Sequence, residues 1–183
     1  MFSIKQIFGE SLTVLLITSV ISLIAGLFLR SIQDKLLVIL PLIIILPALN
    51  GMIGNYGIII ISRFTTELYK FKKKNVHYHL VKHMFREIIQ IAIMSAIYIA
   101  ILATFIAYIK GFDFDSSLLW KIIWITLATT ITLVILIFIV SIISIPYVYK
   151  RKMDPDNILI PITTSIADLG SMIIFFLIIR FLF

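Results

Sequence analysis

Five long apolar runs, separated by short charged connections, take up most of this sequence. An α-helix needs ~20 apolar residues to cross a hydrocarbon core ~30 Å thick. Inside that core only helices and closed barrels satisfy their own backbone hydrogen bonds. The runs lie at 12–29, 36–62, 87–109, 119–149 and from about 158 to the last residue, with polar breaks at 30–35, 63–86, 110–118 and 150–157. They predict an all-α membrane protein of five transmembrane helices. A mean hydropathy of +1.15 and a charged content of 14% do not describe a soluble domain. Residues 1–183 are expected to form a single transmembrane domain, with no room for a soluble catalytic or regulatory one. The first run is too long for a signal peptide and lacks an A-x-A cleavage pattern, so it reads as a retained span. Cysteine is absent, which excludes disulfides and thiolate metal sites.

Charge orients the bundle. Lys5, seven basic residues within 63–86, and Lys150-Arg151-Lys152 make eleven cations on one side; Arg30, Lys35, Lys110, Lys121 and Arg180 make five on the other. The positive-inside rule puts the N-terminus in the cytoplasm and the C-terminus outside, and an odd number of spans agrees. The net charge of +7 is therefore read as a topology signal and a contact to anionic lipid, not as a nucleic-acid footprint.

One charge breaks the pattern. Asp168 sits inside the last apolar run, ~15 Å along a helix that starts near Ile158, which is close to the bilayer midplane. An aspartate there costs roughly 2.5–3.5 kcal/mol on insertion scales, and such residues face a bundle interior, a partner or an ion path. Offsets of three and four connect Asn157, Pro161, Thr164, Asp168 and Ser171 into one polar stripe. Upstream, Asp154 and Asp156 are read either as helix-capping carboxylates or as a cytoplasmic ion vestibule.

The second run is unusual in another way. It contains Pro41, Pro47, Asn50, Gly51, Gly54, Asn55 and Gly57. Pro47, Gly51 and Gly54 share a face of small residues, which either lets helices approach closely or loosens the helix beside a cavity lined by backbone carbonyls and Asn55.

These two stretches carry a resemblance. Pro47-x3-Gly51-x2-Gly54-Asn55-x-Gly57 is similar to the Gly-rich motif of the MgtE-type magnesium transporters. Pro146, Asp154-Pro155, Pro161, Thr163-Thr164 and Asp168 resemble the last two spans of that family, and Asp154-Pro155-Asp156-Asn157 is similar to the form in its animal solute-carrier relatives. The resemblance implies a five-span domain of a dimer. It also implies that Asp168 lines a central pore at the dimer interface and binds hydrated Mg2+, with Asn55 on the same pathway. The sequence departs from the bacterial pattern in lacking the cytoplasmic N-terminal and CBS domains, and in placing Tyr56 where a small residue is usual.

Mg2+ chemistry agrees independently. The ion prefers octahedral oxygen ligands, takes one or two carboxylates and keeps several waters, so two copies of Asp168 across a two-fold axis would suit it. The absence of Cys and of intramembrane His disfavours zinc and copper. The expectation is a non-enzymatic channel or transporter for divalent cations, most of all Mg2+, in the cell membrane. It would act as a homodimer, although a heterodimer with a related chain satisfies the same argument. The alternatives are a proton- or sodium-coupled carrier of a small solute and a non-transporting membrane subunit of a larger complex. An intramembrane aspartyl protease would need a second midplane carboxylate. His77, His79 and His83 with Lys72-Lys73-Lys74 read as a solvated surface that meets lipid headgroups. Thr126, Thr129, Thr130 and Thr132 read as hydroxyls bonded back to their own helix, or as pore lining.

Overall fold

The computed structural model describes residues 4–71, 78–113 and 115–182. Among these are five α-helices and no strand: α1 Ile4–Val38, α2 Leu40–Phe71, α3 Tyr78–Ile109, α4 Ser116–Lys150 and α5 Pro155–Leu182. Each contains a stretch long and apolar enough to cross a membrane.

The helix boundaries follow local chemistry more than the edges of the apolar runs. The polar stretch at 30–35, expected as a turn, is helical, and α1 continues through it to Val38. It contains neither Gly nor Pro, so its charge alone does not stop the helix. The break comes just before Pro41, whose ring nitrogen has no hydrogen to donate to the carbonyl of Leu37. Ile39 is the only residue between the two helices. Tight i to i−3 bonds close this corner, from the Ile39 amide to the Leu36 carbonyl at 3.1 Å and from the Leu42 amide to the Ile39 carbonyl at 2.9 Å. Likewise, α3 begins at Tyr78, well before residue 87, because the basic residues preceding its apolar run are compatible with helix. At the start of α4, Asp115 accepts the Ser117 amide at 3.0 Å and the Ser117 hydroxyl at 2.5 Å. These bonds hold its carboxyl below the usual carboxylate range. α5 starts at Pro155, three residues before the expected Ile158. There Asp154 caps the helix by accepting the Asp156 amide at 3.1 Å, and proline suits the first helical position because that N–H has no helical acceptor anyway.

Side-chain contacts fix the helix directions. Ser165 reaches the Thr18 carbonyl at 3.5 Å and Phe176 meets Phe28 edge to face, so α1 and α5 run the same way. Asn50 meets Ser171 and Gly57 meets Thr163, so α2 runs opposite to α5. Phe64–Phe138 and Tyr69–Tyr149 align α2 with α4, and Tyr56–Ser95 with Arg63–Glu87 sets α3 against α2. The five helices therefore alternate up and down. Helices α2 to α5 form the packed core. Within it, Ala92, Ala96, Ala100, Ala103 and Ala107 line one buried face of α3 and let it pack closely against its neighbours. α1 adds Ala25 and Leu36 to the core and packs mainly on α5.

Candidate functional site

Three neighbours pack on α5. Ser165 and Phe176 mark the side facing α1. Thr163, Thr164 and Ser171 face α2, and Gly170 packs on Leu133 of α4. At 100° per residue, Asn157, Pro161, Thr164 and Asp168 fall on the arc between the α1 and α2 sides. The two helices flanking this arc make few contacts with each other. A cleft therefore runs between α1 and α2, with the polar stripe of α5 as its floor, and all four stripe residues are half-buried.

The floor of the cleft is buried at one end. Past Asp168 the same arc continues through Met172, Phe175 and Ile179, which are buried. There α1 and α2 converge on their corner, where Leu36, Ile39 and Leu42 are also buried. Toward the N-terminus of α5 the arc stays open. Asp168 thus stands where an accessible polar floor gives way to a sealed apolar one. It lies at the centre of the α5 span Pro155–Phe181, ~20 Å from Pro155 at 1.5 Å per residue. No hydrogen bond or ion pair to its carboxylate is formed among the described residues. Pro161 adds a second oxygen to the floor, since it cannot donate to the Asn157 carbonyl one turn earlier.

The glycines of α2 bring α5 close. A Cβ at Gly54 would lie 3.5 Å from the Thr164 methyl, and one at Gly57 would lie 3.0 Å from the Thr163 hydroxyl. Gly51 meets nothing within 4 Å. Gly51, Pro47 and Asn55 are exposed on the side of α2 that continues the cleft, opposite α4. They extend the polar floor into a composite face of the single chain.

The remaining candidates are distributed differently. Ser171 is 1% exposed and donates to the Asn50 side-chain oxygen, so it packs between α5 and α2 instead of lining the floor. Asp154 is half-buried at the open end of the cleft, with one oxygen in its capping bond. Asp156 points to the other side of α5, beside the buried Thr65 of α2. In α4, Thr126 bonds back to the Ile122 carbonyl at 2.8 Å. Thr129 and Thr130 are buried, with no hydrogen-bond partner for their hydroxyls among the described residues, and Thr132 is exposed. His83 lies 3.5 Å from Glu87; Lys72, Lys73, Lys74 and His77 lie outside the described residues, as does the His79 side chain. Among the described residues no three His, Asp or Glu side chains gather as a metal site, so a cation in the cleft would rely on Asp168 together with hydroxyl, carbonyl and water oxygens.

Two residues outside the predicted set contribute to this region. Asn50 holds Ser171, and its position on the face of α2 shared with Gly54 and Gly57 was a legible signal. Glu10 of α1 is half-buried and, by the Thr18–Ser165 register, lies level with Asn157 near the open end of the cleft. Because it precedes the first apolar run, hydropathy alone leaves it out.

The architecture is that of a membrane-spanning helical bundle, with a polar cleft between α1, α2 and α5 that ends at a midspan carboxylate. The chain belongs to the MgtE family: the family model, described as a divalent cation transporter, matches residues 46–178, which include the Gly-rich face of α2 and the whole polar stripe of α5. No curated protein and no solved structure gives a match. α1 lies outside the matched segment, although it forms one wall of the cleft.

Proposed function

We propose that this chain moves Mg2+ across the cell membrane as a dimer, with Asp168 of each copy facing a shared axis. The observation that carries this reading is the half-buried Asp168 carboxylate, without a partner among the described residues, at the centre of its span and at the inner end of a polar cleft. A charge at that depth needs a partner, and a largely hydrated divalent cation is one that a single carboxylate per chain can share. Mg2+ fits best because it takes one or two carboxylates and keeps most of its water. The face that joins Pro47, Gly51 and Asn55 to Asn157, Pro161, Thr164 and Asp168 carries polar groups that are costly against lipid. A second copy covers this face and supplies the second carboxylate. In the orientation given by the positive-inside rule, the open end of the cleft, with Asp154, faces the cytoplasm.

The test is Mg2+ uptake into proteoliposomes, measured with and without a pH gradient. Asp168→Asn keeps the side-chain size and removes the charge, and is expected to lower flux at least ~10-fold while helix content is unchanged. Full flux in Asp168→Asn would remove this carboxylate from the mechanism. Flux that requires a proton gradient would favour a coupled carrier instead.

A further inference from the structure

Arg63 and Glu87 pair at 3.2 Å across the seam between α2 and α3. The pair lies about two turns inside the α2 and α3 spans, which end at Lys70 and begin at Val81. That is ~10 Å from the helix ends, the depth at which lipid headgroups give way to acyl chains. Two hollows share the pair. One, of about 250 Å³, runs toward the membrane centre along Ile59, Ile88 and Ile91. The other, of about 430 Å³, opens toward the helix ends past Thr66, Glu67 and His83. Together they make one groove, apolar at one end and charged at the other.

We propose that this groove binds a phospholipid with a primary-amine headgroup, drawn from the leaflet on the basic side of the protein. Charge selects the headgroup. The polar end carries two carboxylates, Glu67 and Glu87, beside the Arg63 guanidinium and the His83 imidazole, so groups of both signs are present and a zwitterion is matched. The planar guanidinium of Arg63 suits a phosphate oxygen pair. An ammonium between Glu67 and Glu87 offers three hydrogen-bond donors, whereas a quaternary ammonium offers none. The isoleucines then receive the first carbons of an acyl chain. An exposed ion pair contributes little on its own, and the Arg63–Glu87 bond leaves the second carboxylate and the apolar hollow below it unaccounted for.

The experiment is native mass spectrometry of the purified chain in neutral detergent, with phosphatidylethanolamine, phosphatidylcholine and phosphatidylglycerol added at equal concentration. The primary-amine lipid is expected to be retained roughly tenfold over the other two, about the ratio that one charge-assisted hydrogen bond supplies. Glu67→Gln removes no ion pair seen among the described residues and is expected to reduce its retention to that of the choline lipid. Arg63→Gln is expected to weaken both zwitterionic lipids together, with circular dichroism reporting whether it folds; if it does not, Glu67→Gln alone decides. Equal or greater retention of phosphatidylglycerol, or an amine preference unchanged in Glu67→Gln, overturns the proposal.

Discussion

Ser171 on α5 donates a hydrogen bond to the side-chain oxygen of Asn50 on α2, one turn beyond Asp168 on the sealed side of the cleft. The bond ties together the two helices that carry the polar floor at the depth where that floor ends. Asn50→Ala and Ser171→Ala are each expected to destabilise the protein by about 1 kcal/mol. The double variant should lose less than the sum, with a coupling of about 0.6–1.7 kcal/mol, as found for hydrogen bonds between membrane helices. Unfolding in a mixed-micelle titration of the two single variants and the double variant measures this. Additive losses would mean that the bond contributes nothing.

The glycines of α2 and α5 should not tolerate a methyl group equally. Gly51→Ala is expected to be neutral and Gly54→Ala nearly so, because an added Cβ meets at most ordinary contact. Gly57→Ala presses on the Thr163 hydroxyl, and Gly170→Ala overlaps the end of the Leu133 side chain. Overpacking of this kind costs typically 1–3 kcal/mol. Leu133→Ala combined with Gly170→Ala should recover part of the second loss. Thermal unfolding in detergent ranks the four single variants, and a Gly51→Ala variant less stable than Gly57→Ala would contradict the packing described.

Cross-linking tests the shared axis. The chain has no cysteine of its own, so single cysteines report without background. Gly51→Cys and Asn55→Cys sit on exposed positions of the composite face and are expected to link one copy to another. Ser171→Cys is turned into the α2–α5 contact and should not. The opposite pattern on a reducing and non-reducing gel pair would place the interface elsewhere.

The cap of α4 gives a pH signature. Hydrogen bonds from Ser117 depress the Asp115 carboxyl, so its contribution is complete above the ordinary carboxylate range. It fades as the pH falls through the lowered folded-state value. Asp115→Asn keeps a good capping side chain without a titrating group. The difference in unfolding temperature between wild type and Asp115→Asn should therefore be constant near neutrality and change only below about pH 4.

The sequence made the five spans legible because apolar run length is set by membrane thickness, and length survives errors of a few residues at each end. It was less informative about corners. Nothing in Arg30, Gln33 or Asp34 says that α1 continues through them; Pro41, which does stop it, lies inside the next apolar run. Spacing grouped Asn157, Pro161, Thr164 and Asp168 correctly as one stripe, because those residues share one helix and its period. Ser171 belongs to the same offsets but turns toward Asn50. That choice depends on where α2 packs, which the periodicity of one helix does not encode. For the same reason Asp156, two residues from Asp154, faces a different neighbour.

Antiparallel helices usually lie side by side when two to five residues join them. α1 and α2 have only Ile39, too little chain to bring their axes together, so the two helices spread from the corner like the legs of a compass. The opening angle of that compass is what leaves Asp168 accessible. Chain length at residue 39 thereby controls, from the far end of the bundle, how wide the approach to the carboxylate stands. Insertions in a connection are ordinarily cheap. Here one or two added residues would let the legs swing shut, and the variant should fold well while its carboxylate becomes less accessible.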